Sequence, residues 1–502
     1  MSQPDAAMIS SVTSAAGKVI PELVLLGTVC INFLVGPFLV TPSGRALPGL
    51  RHRWGGIAIA AICTALYLWW TGSTEVVTTG PFRVDNIVWY VRGVMLIAAL
   101  LLVLVNWSQI EDGKAAESHA CLLAITAGVN LVALANDLTT LFLALELISI
   151  PTYLFLFLPR KDAATQEAGV KYFLLSVFSS AIMLYGFSLI YGMAGTTDLP
   201  TIQTALANSN QTPVLAILGM VFVVAGLAFR LTAVPFHFYA PDVFQGSAAS
   251  GAALLSFVPK LAGFIALIRL LEPVVDAAPG LLLADVMLPM LWWLSVITMF
   301  VGNFLGILQN DLRRMLAYSG VAHVGYMLVG LNVGHHTTSV PDGIEALLFY
   351  LAVYGLMTIG AFAVLIAAER DNKPLETLDQ LAGLHRVRPG LALMLMVFMF
   401  SLAGMPPTAG FLAKLNLFFA AWAQGDVSNR WLALFMVINA AMGSWYYLRV
   451  VGAMYLREPL DEHHGSHAPA PIIASVACTA MVITLFFVPT WLWTMVQTVR
   501  SS

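Results

Sequence analysis

Glu146, Arg230, Lys260 and Lys414 each interrupt a long apolar run. A charge at the centre of a membrane-spanning helix costs roughly 2.5–3.5 kcal/mol on insertion scales. A chain that keeps both signs of charge at that depth moves charge across the membrane or holds an ionic network for that purpose. Glu146, Ser149 and Tyr153 recur at helical spacing and form a narrow polar stripe that should face the bundle interior. A buried acid of this kind is switched by moving a cation towards it or away. A buried Lys, in turn, can both accept and release a proton. Lys260 stands one turn after Ser256 and directly after Pro259; Lys414 follows Pro406-Pro407 and precedes Asn416. Lys171 opens a run that continues with Ser176, Ser179 and Ser180 on one helical face. His237, and His323 with Ser319 and Tyr326, suit a proton relay because imidazole titrates near neutral pH. Each has a plainer alternative: a static ion pair for Glu146, a snorkelling side chain for the lysines, a hydrogen-bonded core residue for the histidines. His335, His336, His464 and His467 lie in polar loops and read as surface residues.

The elements that must carry these groups are helices in lipid. Of 502 residues, 59% are hydrophobic and 10% charged, against roughly 25% charged in a soluble domain. Apolar runs of about 20 residues recur along the whole length, which is the pattern of an all-α polytopic membrane protein with about fourteen spans. No strand is expected, and the longest polar stretch, 369–390, is too short to bury a core of its own. The units read as residues 1–118 (three spans), 119–272 (five), 285–456 (five) and 470–502 (one). Two spans look broken, at Phe229 to His237 and at Gly404 to Phe411, because proline removes a backbone donor and clashes with the preceding turn. Paired broken helices in two halves of a chain point to an inverted-repeat transporter.

Loop charge alternates. One set holds Arg45, Arg51, Arg53, Lys114, Arg160, Lys161, Arg313, Arg314, Arg370, Lys373, Arg386, Arg388 and Arg457; the other holds Arg83, Arg430 and little else. The positive-inside rule places the first set in the cytoplasm and both termini on the far side. Net charge is −3 with no basic tail, so nucleic acid is not expected as a partner. Met1 to Lys18 lacks a basic stretch followed at once by an apolar one, so no cleaved signal peptide is expected. Cys30, Cys63, Cys121 and Cys478 are far apart and read as small buried residues, not as ligands of zinc or an iron–sulfur cluster.

At these residues the chain resembles a known family, the antiporter-like membrane subunits of respiratory complex I (NADH-quinone oxidoreductase), and most closely its subunit-N branch. The matching stretches are Leu141 to Tyr153, Glu167 to Ser176, Val234 to His237 with Ala240 to Gly246, Asn310 to Ser319, Ala403 to Phe411 with Lys414, and Tyr446 to Arg449. The resemblance implies a fourteen-helix fold of two inverted five-helix repeats and a proton path along a central polar axis. It implies that the acid at Glu146 pairs with a cation on the first broken helix, that Lys260 links the half-channels, and that Lys414 serves the outlet. His237 and His323 would belong to the hydrated axis, with Lys171 beside it. One position departs: the broken-helix cation, usually Lys in the family, is Arg230. A guanidinium keeps its proton, so Arg230 is expected to act as a fixed counter-charge while Glu146, Lys260 and Lys414 exchange protons.

No Gly-rich phosphate turn follows a strand, so no redox cofactor is expected in this chain. The resemblance places NADH, FMN, iron–sulfur clusters and quinone on other subunits of a complex in the bacterial inner membrane, where neighbouring antiporter-like subunits and lipid are the partners. A subunit of a multisubunit sodium/proton antiporter or of a membrane-bound hydrogenase shares the same logic. A structural scaffold does not, since mid-membrane charge on several helices is costly to keep unused.

Overall fold

The computed structural model describes residues 17–40, 47–72, 77–159, 162–208, 214–275, 282–334, 342–369, 375–424, 426–459 and 468–500. Arg45, Arg160, Lys161, Arg370, Lys373 and the four loop histidines named above lie outside them. The chain runs through α1 (Ile20–Val35), α2 (Leu50–Thr71), α3 (Asn86–Asn106), α4 (Ala115–Leu134), α5 (Leu138–Phe157) and α6 (Ala163–Ala194). It continues through α7 (Leu199–Asn208), α8 (Val214–Leu231), α9 (Ala240–Gly246), α10 (Ala249–Val275), α11 (Leu282–Ile307), α12 (Leu312–Val333) and α13 (Gly343–Ala367). The last elements are α14 (Leu384–Val387), α15 (Pro389–Ala403), α16 (Ala409–Ala423), α17 (Val427–Leu456), α18 (Pro469–Phe487) and α19 (Thr490–Arg500).

Among the described residues, 13 helices are long and apolar enough to cross a membrane. The shorter apolar helices α15 and α16 follow one another across the Gly404–Thr408 break and complete the expected fourteen. The last expected span, 470–496, is divided instead: α18 ends at Phe487 and α19 starts at Thr490, with Pro489 between them. A proline nitrogen cannot donate to the preceding turn. A two-stranded hairpin, β1 (Val77–Thr79) and β2 (Phe82–Val84), also corrects the expectation of no strands. Its β-branched and aromatic residues flank a Gly80-Pro81 turn, the composition that favours a short ladder over a helix.

Two five-crossing units are built alike. In the first, Asn136-Asp137-Leu138 joins α4 to α5; in the second, Asn310-Asp311-Leu312 joins α11 to α12. Each Asp caps the helix it precedes, Asp137 accepting from the Thr139 and Thr140 amides and Asp311 from those of Arg313 and Arg314. Each tripeptide also pairs with the segment that follows the unit's third helix. Leu138 N donates to Thr197 O and Leu199 N to Asn136 O; Leu312 N donates to Glu376 O and Leu378 N to Asn310 O. Each unit then breaks its fourth crossing, α8/α9 or α15/α16. Both breaks hold a left-handed residue three positions before a cis proline, Thr232 (φ 64°) before Pro235 and Gly404 (φ 85°) before Pro407. Five crossings is an odd number, so the second unit runs through the membrane in the opposite sense.

Helix α10 is buried from Ala249 to Leu271, α13 is buried throughout and α12 nearly so, which puts the core at the meeting of the two units. Two buried ion pairs hold the N-terminal helices, one joining them to each other and one joining them to this body. Arg92 on α3 holds Glu22 on α1 at 2.7 Å, and Arg269 on α10 holds Asp85, the N-cap of α3, at 2.5 Å. Cys30 and Cys63 are exposed on α1 and α2, correcting the expectation of burial, while Cys121 and Cys478 are buried.

Candidate functional site

The break after α8 fixes one end of the site. Arg230, in the last turn of α8, reaches across to α5 and donates to Glu146 Oε1 at 2.9 Å, Ser149 Oγ at 2.7 Å and Leu145 O at 3.1 Å. Ser180 on α6 donates to the same carboxylate oxygen at 2.6 Å and accepts from Arg230 at 3.2 Å. Arg230 is buried, whereas the Glu146 side chain keeps 21% of its exposure. The expected stripes are therefore brought together: Glu146 and Ser149 meet Arg230, and Tyr153 donates to Ser176 at 2.7 Å.

Lys260 occupies the centre. Arg230 packs within one turn of it, since a side-chain carbon placed at Gly263 would stand 3.8 Å from Arg230 Cβ. The Lys260 ammonium donates to Ser256 O at 2.9 Å and lies over the rings of Tyr354 (5.7 Å) and Phe244 (6.0 Å). A carbon at Gly320 would stand 3.2 Å from Lys260 Nζ and 3.0 Å from Tyr354 Oη, so glycine there is what lets α12 approach. His323, one turn further along α12, bonds Tyr350 through Nδ1 at 2.6 Å and Tyr447 through Nε2 at 3.1 Å, and Tyr447 also bonds Ser319.

The second break holds the other end. Where α15 stops, the carbonyls of Leu402 and Ala403 lose their helical partners and accept from Lys414 Nζ at 2.8 and 2.9 Å. Lys414 lies 5.0 Å from the ring of Tyr326. Both lysines are thus held by backbone oxygens and aromatic faces, and neither has a carboxylate in salt-bridge reach among the described residues.

Lys171 and His237 sit elsewhere. Lys171 is half-exposed and bonds Glu167 (2.7 Å) and Asp242 (3.1 Å), because α6 begins at Ala163 and not near 169. Asp242 on α9 also accepts from Arg314 at 2.7 Å. Partial burial works against the charged Asp242, but the Arg314 and Lys171 hydrogen bonds outweigh it and hold the carboxyl below its ordinary range. His237, half-buried in the break, has its ring 6.5 Å from Tyr318. Sequence reasoning missed Tyr350, Tyr354 and Tyr447; the signal was the four-residue spacing of the two tyrosines on α13. The four cysteines lie on four separate helices.

The chain is similar to known proteins along most of its length. The family model described as NADH:quinone oxidoreductase/Mrp antiporter, TM, matches residues 135–443. NADH-quinone oxidoreductase subunit N of Trichlorobacter lovleyi is 38% identical over 467 residues, covering 92% of this chain and 92% of that protein. A chain of respiratory complex I from Thermus thermophilus, solved with bound aureothin, superposes with a TM-score of 0.77 at 29% identity, over 94% of this chain and 98% of that one. A chain of the Mrp complex from Dietzia shares the fold, with a TM-score of 0.79 at 21% identity over 95% of this chain and 96% of that one.

Proposed function

On the premise that this chain belongs to the NADH:quinone oxidoreductase/Mrp antiporter family, we propose a route for the protons it moves as an antiporter-like membrane subunit of NADH-quinone oxidoreductase. The route runs from Glu146 through Lys260 and the His323 cluster to Lys414. The observation that carries it is the succession of buried ionisable and phenolic groups on α5, α8, α10, α12 and α16, described above.

In the closed pair, Arg230 stabilises the Glu146 carboxylate. When Arg230 swings away, the carboxylate loses its counter-charge and takes up a proton; the displaced guanidinium then stands closer to Lys260 and repels its charge. Lys260 releases its proton towards His323, whose two ring nitrogens face phenols on opposite sides. Such a ring accepts on one nitrogen while donating from the other. Lys414 takes the proton on the outlet side, where the break leaves carbonyls to hold its charged form. Arg230 carries charge but no transferable proton, which separates its part from that of the usual Lys. Lys171 and Asp242 brace α9 and stay outside the route.

The redox work, with NADH, FMN, iron–sulfur clusters and quinone, falls to other subunits of the complex. The chain is a multi-pass membrane protein. Its basic loops face the cytoplasm of a bacterial inner membrane, its termini lie on the opposite side, and further membrane subunits flank it. A sodium/proton antiporter subunit would share the fold, but the 38% identity to a subunit N favours the present reading. The test is Lys260→Met in the complex reconstituted into liposomes. Quinone reduction with loss of pumping supports the route; pumping at the normal ratio removes it.

A further inference from the structure

A polar branch leaves the axis at Tyr326. Asn303 on α11 donates to Tyr326 Oη at 3.1 Å and to Asn439 Oδ1 on α17 at 3.1 Å, and Tyr446 donates to Asn303 Oδ1 at 3.0 Å. Asn303, Asn439, Tyr326 and Tyr446 are all buried. The branch follows the seam between two helices that run side by side. A carbon at Gly443 would meet Asn303 Oδ1 at 3.0 Å, and one at Gly306 would meet the Tyr446 ring at 3.3 Å. One step further along the seam, Arg449 donates to Ile307 O at 3.4 Å and to Gln309 O. Gln309 belongs to the surface that carries the Arg314–Asp242–Lys171 cluster, because Arg314 donates to its side chain at 3.3 Å. Asn303 and Tyr446 therefore join the Lys414 end of the axis to the basic-loop face, with Arg449 standing in the way.

The chemistry of Arg449 suits an obstacle. Among the described residues its guanidinium donates to two backbone oxygens and to no carboxylate, and its buried Nε has no hydrogen-bond partner. A fixed positive charge in a polar constriction excludes protons and other cations. Hydroxyl and amide groups on either side, in contrast, bind and orient water well enough to pass protons. We propose that Arg449 is the electrostatic stopper of this branch, keeping the Lys414 end of the axis from returning protons to the basic face. This rests on the pumping route proposed above, and adds that the route has a side exit which must stay shut for pumped protons to be retained.

The whole complex in liposomes tests it, first without NADH, under a valinomycin–potassium potential positive on the face opposite Arg449. Arg449→Gln should raise passive proton leak by tenfold or more, the order expected from removing a unit charge beside the path. Arg449→Lys keeps the charge and should stay tight. Adding Lys414→Met to Arg449→Gln should abolish the leak. With NADH, Arg449→Gln should reduce quinone at a normal rate in uncoupled vesicles, which reports assembly, while retaining fewer protons per quinone. Arg449→Met serves as the neutral variant if Gln fails to assemble. Three results overturn the proposal: a neutral variant as tight as wild type, a Lys variant as leaky as Gln, or a leak that survives Lys414→Met. A tight neutral variant beside a Lys260→Met complex that cannot pump removes only the stopper; normal pumping by Lys260→Met removes the route beneath it.

Discussion

Removing the Arg230 guanidinium is the sharpest test of the charge-switch mechanism. At 2.9 Å, with an effective dielectric of about 20, the attraction between Arg230 and Glu146 is roughly 6 kcal/mol, and desolvation of both groups offsets part of it. Breaking a buried pair by deleting one partner typically costs about 3–5 kcal/mol; partial exposure of Glu146 puts the expected cost of Arg230→Ala at the lower end of that range. The variant also removes the donor to Ser149 Oγ, while Leu145 O keeps the Ser149 hydroxyl at 3.0 Å. Arg230→Lys keeps the charge but cannot span Glu146, Ser149 and Leu145 O together, a loss of about 1 kcal/mol. In liposomes holding equal amounts of assembled complex, protons pumped per quinone reduced should be near normal for Lys and largely lost for Ala. Wild-type pumping by Arg230→Ala would refute the counter-charge role. Failure of Arg230→Lys alongside Ala would show that guanidinium geometry, and not charge, is what matters.

Other outcomes follow from single contacts. Lys260→Met, similar in volume, should assemble and reduce quinone without pumping, read by dye quenching. Gly320→Ala should impair pumping with little loss of thermal stability, because its new carbon meets the movable ends of Lys260 and Tyr354, while Gly302→Ala should lower the melting temperature, because its carbon would come within 2.5 Å of the Ala322 backbone. Asp85→Asn should destabilise the protein by breaking the Arg269 pair, on the order of 3 kcal/mol. Burial opposes the charged Asp85, but Arg269 outweighs it and holds the carboxyl below its ordinary value. Its stabilising contribution is therefore fully present above about pH 4 and is lost as pH falls through the lowered folded value. Melts in detergent from pH 6 to 3 should show the wild type losing its advantage over Asp85→Asn.

Much of this was legible in the chain because lipid restricts it so strongly. Backbone groups in hydrocarbon must bond within their own helix, so apolar runs located the spans, and charges inside them located Glu146, Arg230, Lys260 and Lys414. Both proline breaks were readable for the same reason. What stayed hidden was pairing across helices. Glu22 and Arg92 lie 70 residues apart, Asp85 and Arg269 184, and no local pattern joins them. Lys171 reads as the opening of its span because helical spacing shows which face a residue shares but not where the helix starts, and α6 begins a turn and a half earlier than its apolar run. The recurrence of Asn-Asp-Leu was present in the letters. It became meaningful only once both copies were seen capping a helix and pairing with the same distant segment.

Thr232 makes the two halves mechanically unequal. Its backbone takes a shape that comes freely to Gly404, its counterpart, but that costs a β-branched residue on the order of 1–3 kcal/mol. This load sits two residues from Arg230, the charge that swings in the proposed route. In that route the break beside Arg230 carries strain at rest that the break beside Lys414 lacks, so a push arriving from neighbouring subunits would be felt first at the Arg230 end.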